Sequence, residues 1–120
     1  MRFSKKNEFY RCIYHSNVTT CLLGLEFSDK DEQMHVISHE LPHPSNVLVT
    51  PEAIKEQIRK AVKEKEKEYN QSFYIKSIEY VKYDQITSEL AGTIYYDFAC
   101  MIIDRMMNFP EYEGSGFGKT

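Results

Sequence analysis

The sequence predicts an α+β fold, a two-layer sandwich in which two helices cover one face of a four-stranded, mostly antiparallel sheet. Four segments rich in aromatic and β-branched residues and two segments with helical periodicity follow one another in the order βββαβα. The chain has 120 residues, 42% of them apolar, which suits one hydrophobic core better than two. We therefore expect a single domain over residues 1–120, ending in a glycine-rich tail at residues 109–120.

The first two predicted strands form a hairpin. Residues 8–15 and 18–27 are rich in Phe, Tyr, Ile, Val, Thr and Leu, and a short polar break separates them. Side chains alternate between the two faces of a strand, so the apolar positions of the second strand share one face. We expect this face, with Cys21, Leu23, Leu25 and Phe27, to meet the core.

The third predicted strand covers residues 33–41 and follows a charged turn at residues 28–32. Three strands joined in sequence by short turns predict an antiparallel meander. Residues 42–50 contain two prolines, which cannot donate backbone hydrogen bonds to a sheet. We expect these residues to leave the sheet as an extended connection.

The first helix has a strong start signal at Thr50, Pro51 and Glu52. A threonine hydroxyl can cap a helix, proline suits the first helical position, and a carboxylate there faces the positive end of the helix. The helix should run to about Tyr69 and pack on the sheet through a narrow apolar stripe. The run of Lys and Glu at residues 63–68 is typical of a solvent-facing surface.

The second helix is predicted at residues 87–108, the most apolar stretch, after a fourth strand at residues 72–83. At 100° per residue, a broad apolar half-circle faces the core, and Thr87 or Ser88 can cap the first turn. The aromatic and β-branched residues of this stretch, together with Gly92, leave a strand as the alternative.

Composition restricts the partners and the location of the chain. Fifteen Lys and Arg residues against eighteen Asp and Glu give a formal charge of −3, so we expect neither nucleic acid nor a membrane as partner. No apolar run approaches the length of a membrane span. Cys12, Cys21 and Cys100 lie in apolar surroundings, which predicts buried free thiols in the reducing cytoplasm.

Three histidines at four-residue intervals, His35, His39 and His43, form the sharpest motif in the sequence. The last two match H-E-x-x-H, the zinc-binding pattern of metalloproteases, which requires both histidines on one helical face. Pro42 and Pro44 oppose a helix there, so we expect no metal and no other cofactor. A metal-dependent hydrolase that uses the three histidines is the alternative function.

The remaining signal is a high density of aromatic residues, with nine tyrosines and seven phenylalanines. Tyrosine and arginine are favoured at binding surfaces because they combine a large contact area with a polar tip. The candidate ligand or interface residues are Tyr74, Tyr80, Tyr83, Tyr95, Tyr96, Ile103, Arg105 and Met107.

Two features of the second helix predict a binding role. Arg105 lies within the apolar arc and needs an internal carboxylate such as Glu79, a ligand or a neighbouring subunit as its partner. Ile103 and Met107 lie beyond that arc and, with Tyr96, predict an apolar patch for self-association. We therefore expect a small, non-catalytic binding protein of the inhibitor, immunity-type or small-molecule-binding kind, which forms a homo-oligomer. Its other partner is a protein or a small molecule.

Overall fold

The computed structural model of the protein describes residues 2–15, 20–39, 50–81 and 92–108. Its described strands form one five-stranded sheet in the order β1-β2-β3-β5-β4, antiparallel except for the pair β4 and β5. This confirms the α+β class and the mostly antiparallel sheet, with one strand more than predicted. The elements are β1 (Arg2–Lys6), β2 (Phe9–His15), β3 (Thr20–Ser28), β4 (His35–His39), α1 (Pro51–Tyr69), β5 (Tyr74–Val81) and α2 (Ile94–Asn108).

The additional strand is β1, which pairs antiparallel with β2 from Arg2 opposite Ile13 to Lys6 opposite Phe9. Asn7 closes the connecting turn with a φ of 57°, a left-handed conformation that asparagine tolerates better than most residues. Three of the five residues of β1 are basic, so its sequence lacks the apolar alternation from which a strand is predicted.

The predicted meander is wrong at its third strand. β4 does not pair with β3; it lies beyond β5, parallel to it, with His35 opposite Ser77 and His39 opposite Val81. The physical reason is that α1 connects β4 to β5. A helical crossover of this kind returns the chain in the same direction, so the two strands run parallel. β5 therefore lies between β3 and β4, and β3 is the central strand of the sheet.

The hydrophobic core lies on the face of the sheet predicted from β3. Cys21, Leu23 and Leu25 are fully buried, and Phe27 packs against them, as the alternation of the strand indicates. Both helices contribute to this core. Their buried apolar residues are Ile54, Ile58 and Ala61 of α1 and Tyr95, Phe98, Ala99, Ile102 and Ile103 of α2.

The predicted bounds of α1 are confirmed. The Thr50 hydroxyl accepts a hydrogen bond of 3.2 Å from the backbone N–H of Ala53, and Pro51 occupies the first helical position. The helix ends at Tyr69, after which Asn70 adopts a left-handed conformation and donates its N–H to the carbonyl of Glu66. Both ends of α1 are therefore fixed by local sequence.

The second helix begins at Ile94, later than predicted, after a turn at Gly92 and Thr93. The predicted caps Thr87 and Ser88 lie outside the described residues. From Ile94 onward the helix prediction is confirmed and the strand alternative is wrong, because the apolar positions follow the helical period.

The charge run at residues 63–68 is not wholly solvent-facing, which corrects the prediction. Lys65 donates to Asp104 of α2 and to Glu68, and Tyr69 donates its hydroxyl to the same Asp104 at 2.8 Å. Burial lowers the pKa of Lys65, but the hydrogen bonds to Asp104 and Glu68 outweigh it and hold that pKa above its ordinary value. A polar cluster therefore joins the C-terminal halves of the two helices.

All three cysteines are free thiols. Cys12 and Cys21 are fully buried in the core, on neighbouring strands, where Cys12 is opposite Leu23 and Cys21 is opposite Tyr14. Burial raises the pKa of the Cys12 thiol from its ordinary 9.0 to about 12. Neither of the two helices described by the structure has the length and apolar character that crossing a membrane requires.

Candidate binding groove

A groove of about 830 Å³ lies between α1, the segment that precedes β4 and the start of β5. Residues 31–34 form one wall, the side of α1 from Lys55 to Lys63 forms the other, and residues 73–75 close one end. This volume falls within the range of small-molecule sites in proteins. We refer to this concavity as the α1 groove.

The floor of the α1 groove is apolar. Ile58 and Val62 lie one turn apart on α1, so both point to the same side of the helix. Ile58, Phe73 and Ile75 are buried, so Val62 and Met34, which are half-buried, supply the apolar surface that a ligand can reach. An apolar ligand group placed here would be removed from water on several sides, which is the main source of ligand affinity.

The helical wall of the groove is cationic. Lys55, Arg59 and Lys63 recur every four residues and therefore form a row along one side of α1. The ion pair of Arg59 with Glu56 is long, at 3.8 Å, and both side chains are more than half exposed, so it contributes little. The row can therefore turn its charges toward a ligand at small cost.

The opposite wall is acidic. Asp31 and Glu32 line it, and Gln33 continues it toward β4. The preceding turn is fixed locally, because the Ser28 hydroxyl donates to the carbonyl of Lys30 at 2.6 Å and lies 3.3 Å from its N–H. The groove is therefore bipolar, with positive charge on α1 and negative charge on the segment before β4.

The end of the groove is held in place by contacts between α1 and the start of β5. Glu66 accepts a hydrogen bond of 2.9 Å from the backbone N–H of Phe73. The rings of Tyr69 and Phe73 meet edge to face, with centroids 6.3 Å apart. These contacts preform the concavity, so a ligand would not have to order this end of it.

The predicted tyrosines separate into interior and surface positions. Tyr74 lines the α1 groove. Tyr80 and Tyr95 are buried and pack edge to face in the core, with ring centroids 6.3 Å apart. Tyr96 is half-buried beneath Lys60, and Tyr83 lies outside the described residues. Of these five, Tyr74 is therefore the residue placed at the groove.

The apolar patch predicted on α2 is reduced by its neighbour α1. Ile103 is fully buried, whereas Tyr96 and Met107 are half-buried. The bonds from Lys65 to Asp104 show that α1 packs along this side of α2, which explains the burial of Ile103. Self-association through Tyr96, Met107 and Arg105 stays a prediction, without Ile103 as a surface residue.

Arg105 and Glu79 lie on opposite sides of the sheet. The guanidinium of Arg105 lies over the ring of Phe3 in β1, 4.6 Å from its centroid, a cation–π contact. Glu79 instead forms a two-pronged ion pair with Arg11, across Gly24 on the sheet face opposite the core residues of β3. The alternation of β5 accounts for this, since Ile78 and Tyr80 point to the core and Glu79 points away from it.

The histidine motif does not start on a helix. His35 is exposed at the start of β4 and His39 is the last residue of that strand, while His43 lies outside the described residues. Four residues along a strand span about 13 Å, too far for two ligands of one ion. Among the residues that the structure describes, no cluster of three or more His, Cys, Asp or Glu could hold a metal.

Sequence reasoning missed the α1 groove, although one signal for its cationic wall is present. Lys55, Arg59 and Lys63 repeat every four residues, which places them on one side of the predicted helix. The acidic wall could not be paired with them, because the predicted meander placed the third predicted strand beside β3 instead of beyond β5.

Comparison with protein-family models, with curated proteins and with solved structures gives no significant match.

Proposed function

We propose that the chain is a small cytoplasmic, non-catalytic binding protein that holds an amphipathic anion in the α1 groove. The observation that carries this proposal is the apolar floor, with Val62 and Met34 as its accessible side chains, beside the cationic row of α1. A ligand with an apolar body and a carboxylate, sulfonate or phosphate group matches both features. Burial of the body supplies the affinity, and the row orients the anion.

The side chains around the groove support binding over catalysis. Lys and Arg dominate the helical wall, and their positive charges suit the binding of an anion. The thiols of Cys12 and Cys21 are buried in the core, away from the groove. Burial is the main cause of the raised pKa of Cys100, which opposes formation of a thiolate nucleophile.

Fluorescence titration with 1-anilinonaphthalene-8-sulfonate, an aromatic anion, tests the proposal. We expect saturable binding to the folded chain, weakened at least about tenfold by Arg59→Glu or Lys63→Glu because each places a negative charge beside the sulfonate. Lys67→Glu is the matched control, since Lys67 is an exposed lysine of α1 outside the groove. Equal affinities for all variants would contradict the proposal.

A further inference from the structure

We infer that the β4 edge and the α1 groove together accept an extended, acidic peptide segment of a partner protein, which adds as a strand beside β4. This inference rests on the proposed function, because it names the partner of the same groove. It depends on three observations: the composition of the two sheet edges, the junction of β4 with the groove, and the spacing of the cationic row.

The two edges of the sheet differ in their protection. Proteins guard edge strands with charge, because an unguarded edge presents backbone groups that another chain can pair with. β1 carries Arg2, Lys5 and Lys6, whereas β4, with the sequence HVISH, has no Asp, Glu, Lys or Arg. Within the described part of the chain, β4 pairs with β5 alone. The β4 edge is therefore the one suited to strand addition.

The unguarded edge leads directly into the groove. Met34 lines the groove and His35 begins β4, so a peptide that follows the β4 edge passes the groove wall at this junction. Ile37, in the middle of β4, is 43% exposed, an unusual value for isoleucine in a sheet. An added strand would cover Ile37 and satisfy the outward backbone groups of β4.

The spacing of charges on α1 matches an extended peptide. Residues four apart on a helix rise by about 6 Å, and alternate residues of a strand are about 6.6 to 6.8 Å apart. Acidic side chains at every second position can therefore meet Lys55, Arg59 and Lys63 in turn. Asp31 and Glu32 repel such residues at the other wall, so a basic residue is expected at the peptide end nearest to them.

The experiment uses two blocked synthetic peptides as probes, Glu-Val-Glu-Val-Glu-Val-Lys and its charge-reversed counterpart Lys-Val-Lys-Val-Lys-Val-Glu. Amide hydrogen exchange in ¹⁵N-labelled protein reports pairing at β4, and displacement of 1-anilinonaphthalene-8-sulfonate reports occupancy of the groove. We expect the acidic peptide to bind at least about tenfold more tightly than the basic one and to slow exchange of the outward β4 amides.

Two variants separate the edge from the groove. Ile37→Glu places a charge of the same sign as the peptide's carboxylates on the β4 edge and should weaken the acidic peptide about tenfold while leaving the fluorescent anion bound as before. Tyr14→Glu is the matched control, because Tyr14 is an exposed apolar residue of β2, and it should change neither affinity. Arg59→Glu should weaken both ligands.

Failure of the inference is distinguishable from failure of the proposed function. If the fluorescent anion binds as proposed but the acidic peptide binds no better than the basic one, or leaves β4 exchange unchanged, the inference is overturned and the groove stands as a small-molecule site. Protection of β4 that depends on protein concentration alone would identify a second copy as the occupant and also overturn it. If Arg59→Glu does not weaken binding of the fluorescent anion, both the inference and the proposed function are overturned.

Discussion

The side-chain oxygen of Gln57 accepts a hydrogen bond of 3.0 Å from the backbone N–H of Tyr95 and another of 3.1 Å from that of Tyr96. The first N–H groups of a helix have no partner within it, so a residue of α1 caps the start of α2. Gln57 is buried, and its interaction therefore fixes the two helices relative to each other.

Gln57→Met keeps the volume of the side chain but removes its oxygen. The backbone N–H groups of Tyr95 and Tyr96 then lose the acceptor that Gln57 provides. We expect the free energy of unfolding to fall by about 1 to 3 kcal/mol, measured by urea denaturation. Gln57→Glu retains an acceptor at the positive end of α2, so it should lower the free energy of unfolding by less than Gln57→Met does. A methionine variant as stable as the wild type would show that this cap contributes nothing.

Gly24 leaves room for the Arg11–Glu79 ion pair. A Cβ atom at position 24 would lie 2.8 Å from the carboxyl carbon of Glu79, closer than side chains approach one another. Since Glu79 is buried and held by Arg11, it cannot move without exposing or separating the pair. Gly24→Ala should therefore destabilise the fold by about 1 to 3 kcal/mol in thermal or urea unfolding. Unchanged stability would mean that the pair shifts freely.

Lys65→Ala tests the polar cluster between the helices. The Lys65 side chain is only 11% exposed and bonds Asp104 at 2.8 Å, so its loss should destabilise by about 1 kcal/mol. Lys67→Ala, on the exposed side of the same helix, should stay within about 0.5 kcal/mol of the wild type. Equal effects of the two substitutions in urea unfolding would restore the view of residues 63–68 as a uniform solvated surface.

The buried Cys12 thiol predicts a loss of stability at high pH. Its pKa is raised to about 12 in the folded chain from an ordinary 9.0, so the unfolded chain releases this proton first. The stabilising contribution is complete below pH 9 and decreases as pH rises from 9 toward 12. The stability difference between wild type and Cys12→Ala should therefore shrink over that interval. A constant difference would contradict the assigned burial of the thiol.

Thiol accessibility provides an independent check of the same burial. Cys12 and Cys21 are fully buried, whereas Cys100 is partly exposed. With an aromatic disulfide reagent near neutral pH, we expect the native protein to react through Cys100 and the guanidinium-unfolded chain to react through all three. Rapid reaction of Cys12 or Cys21 in the native state would contradict the core as described.

Local signals in the sequence predicted most of the fold. The pairing of strands that are distant in the sequence could not be predicted from such signals. Thr50 and Pro51 determine where α1 begins, and the alternation of β3 identifies the core face. The position of β4 depends on the crossover through α1, which periodicity within residues 33–41 cannot reveal. The strand β1 was not predicted, because three of its five residues are basic and it lacks the apolar alternation that indicates a strand.

The candidate site could be predicted only in part for the same reason. The row of Lys55, Arg59 and Lys63 is visible in the sequence as a four-residue spacing. Its opposition to Asp31 and Glu32 exists only because β4 lies at the edge of the sheet, beyond β5. Gln57 was also unpredictable as a cap, since its partners lie 38 and 39 residues further along the chain.

Chemical-shift mapping of ¹⁵N-labelled protein during titration with 1-anilinonaphthalene-8-sulfonate tests the central claim most directly, because it locates the ligand residue by residue. We predict saturable shifts of the backbone amides of Met34, Ile58, Val62 and residues 73–75, which surround the α1 groove. Amides of β1 and of the last turn of α2 should stay unchanged. Shifts centred on Tyr96 and Met107, or shifts that spread over the sheet without saturation, would contradict the claim that this groove is the binding site.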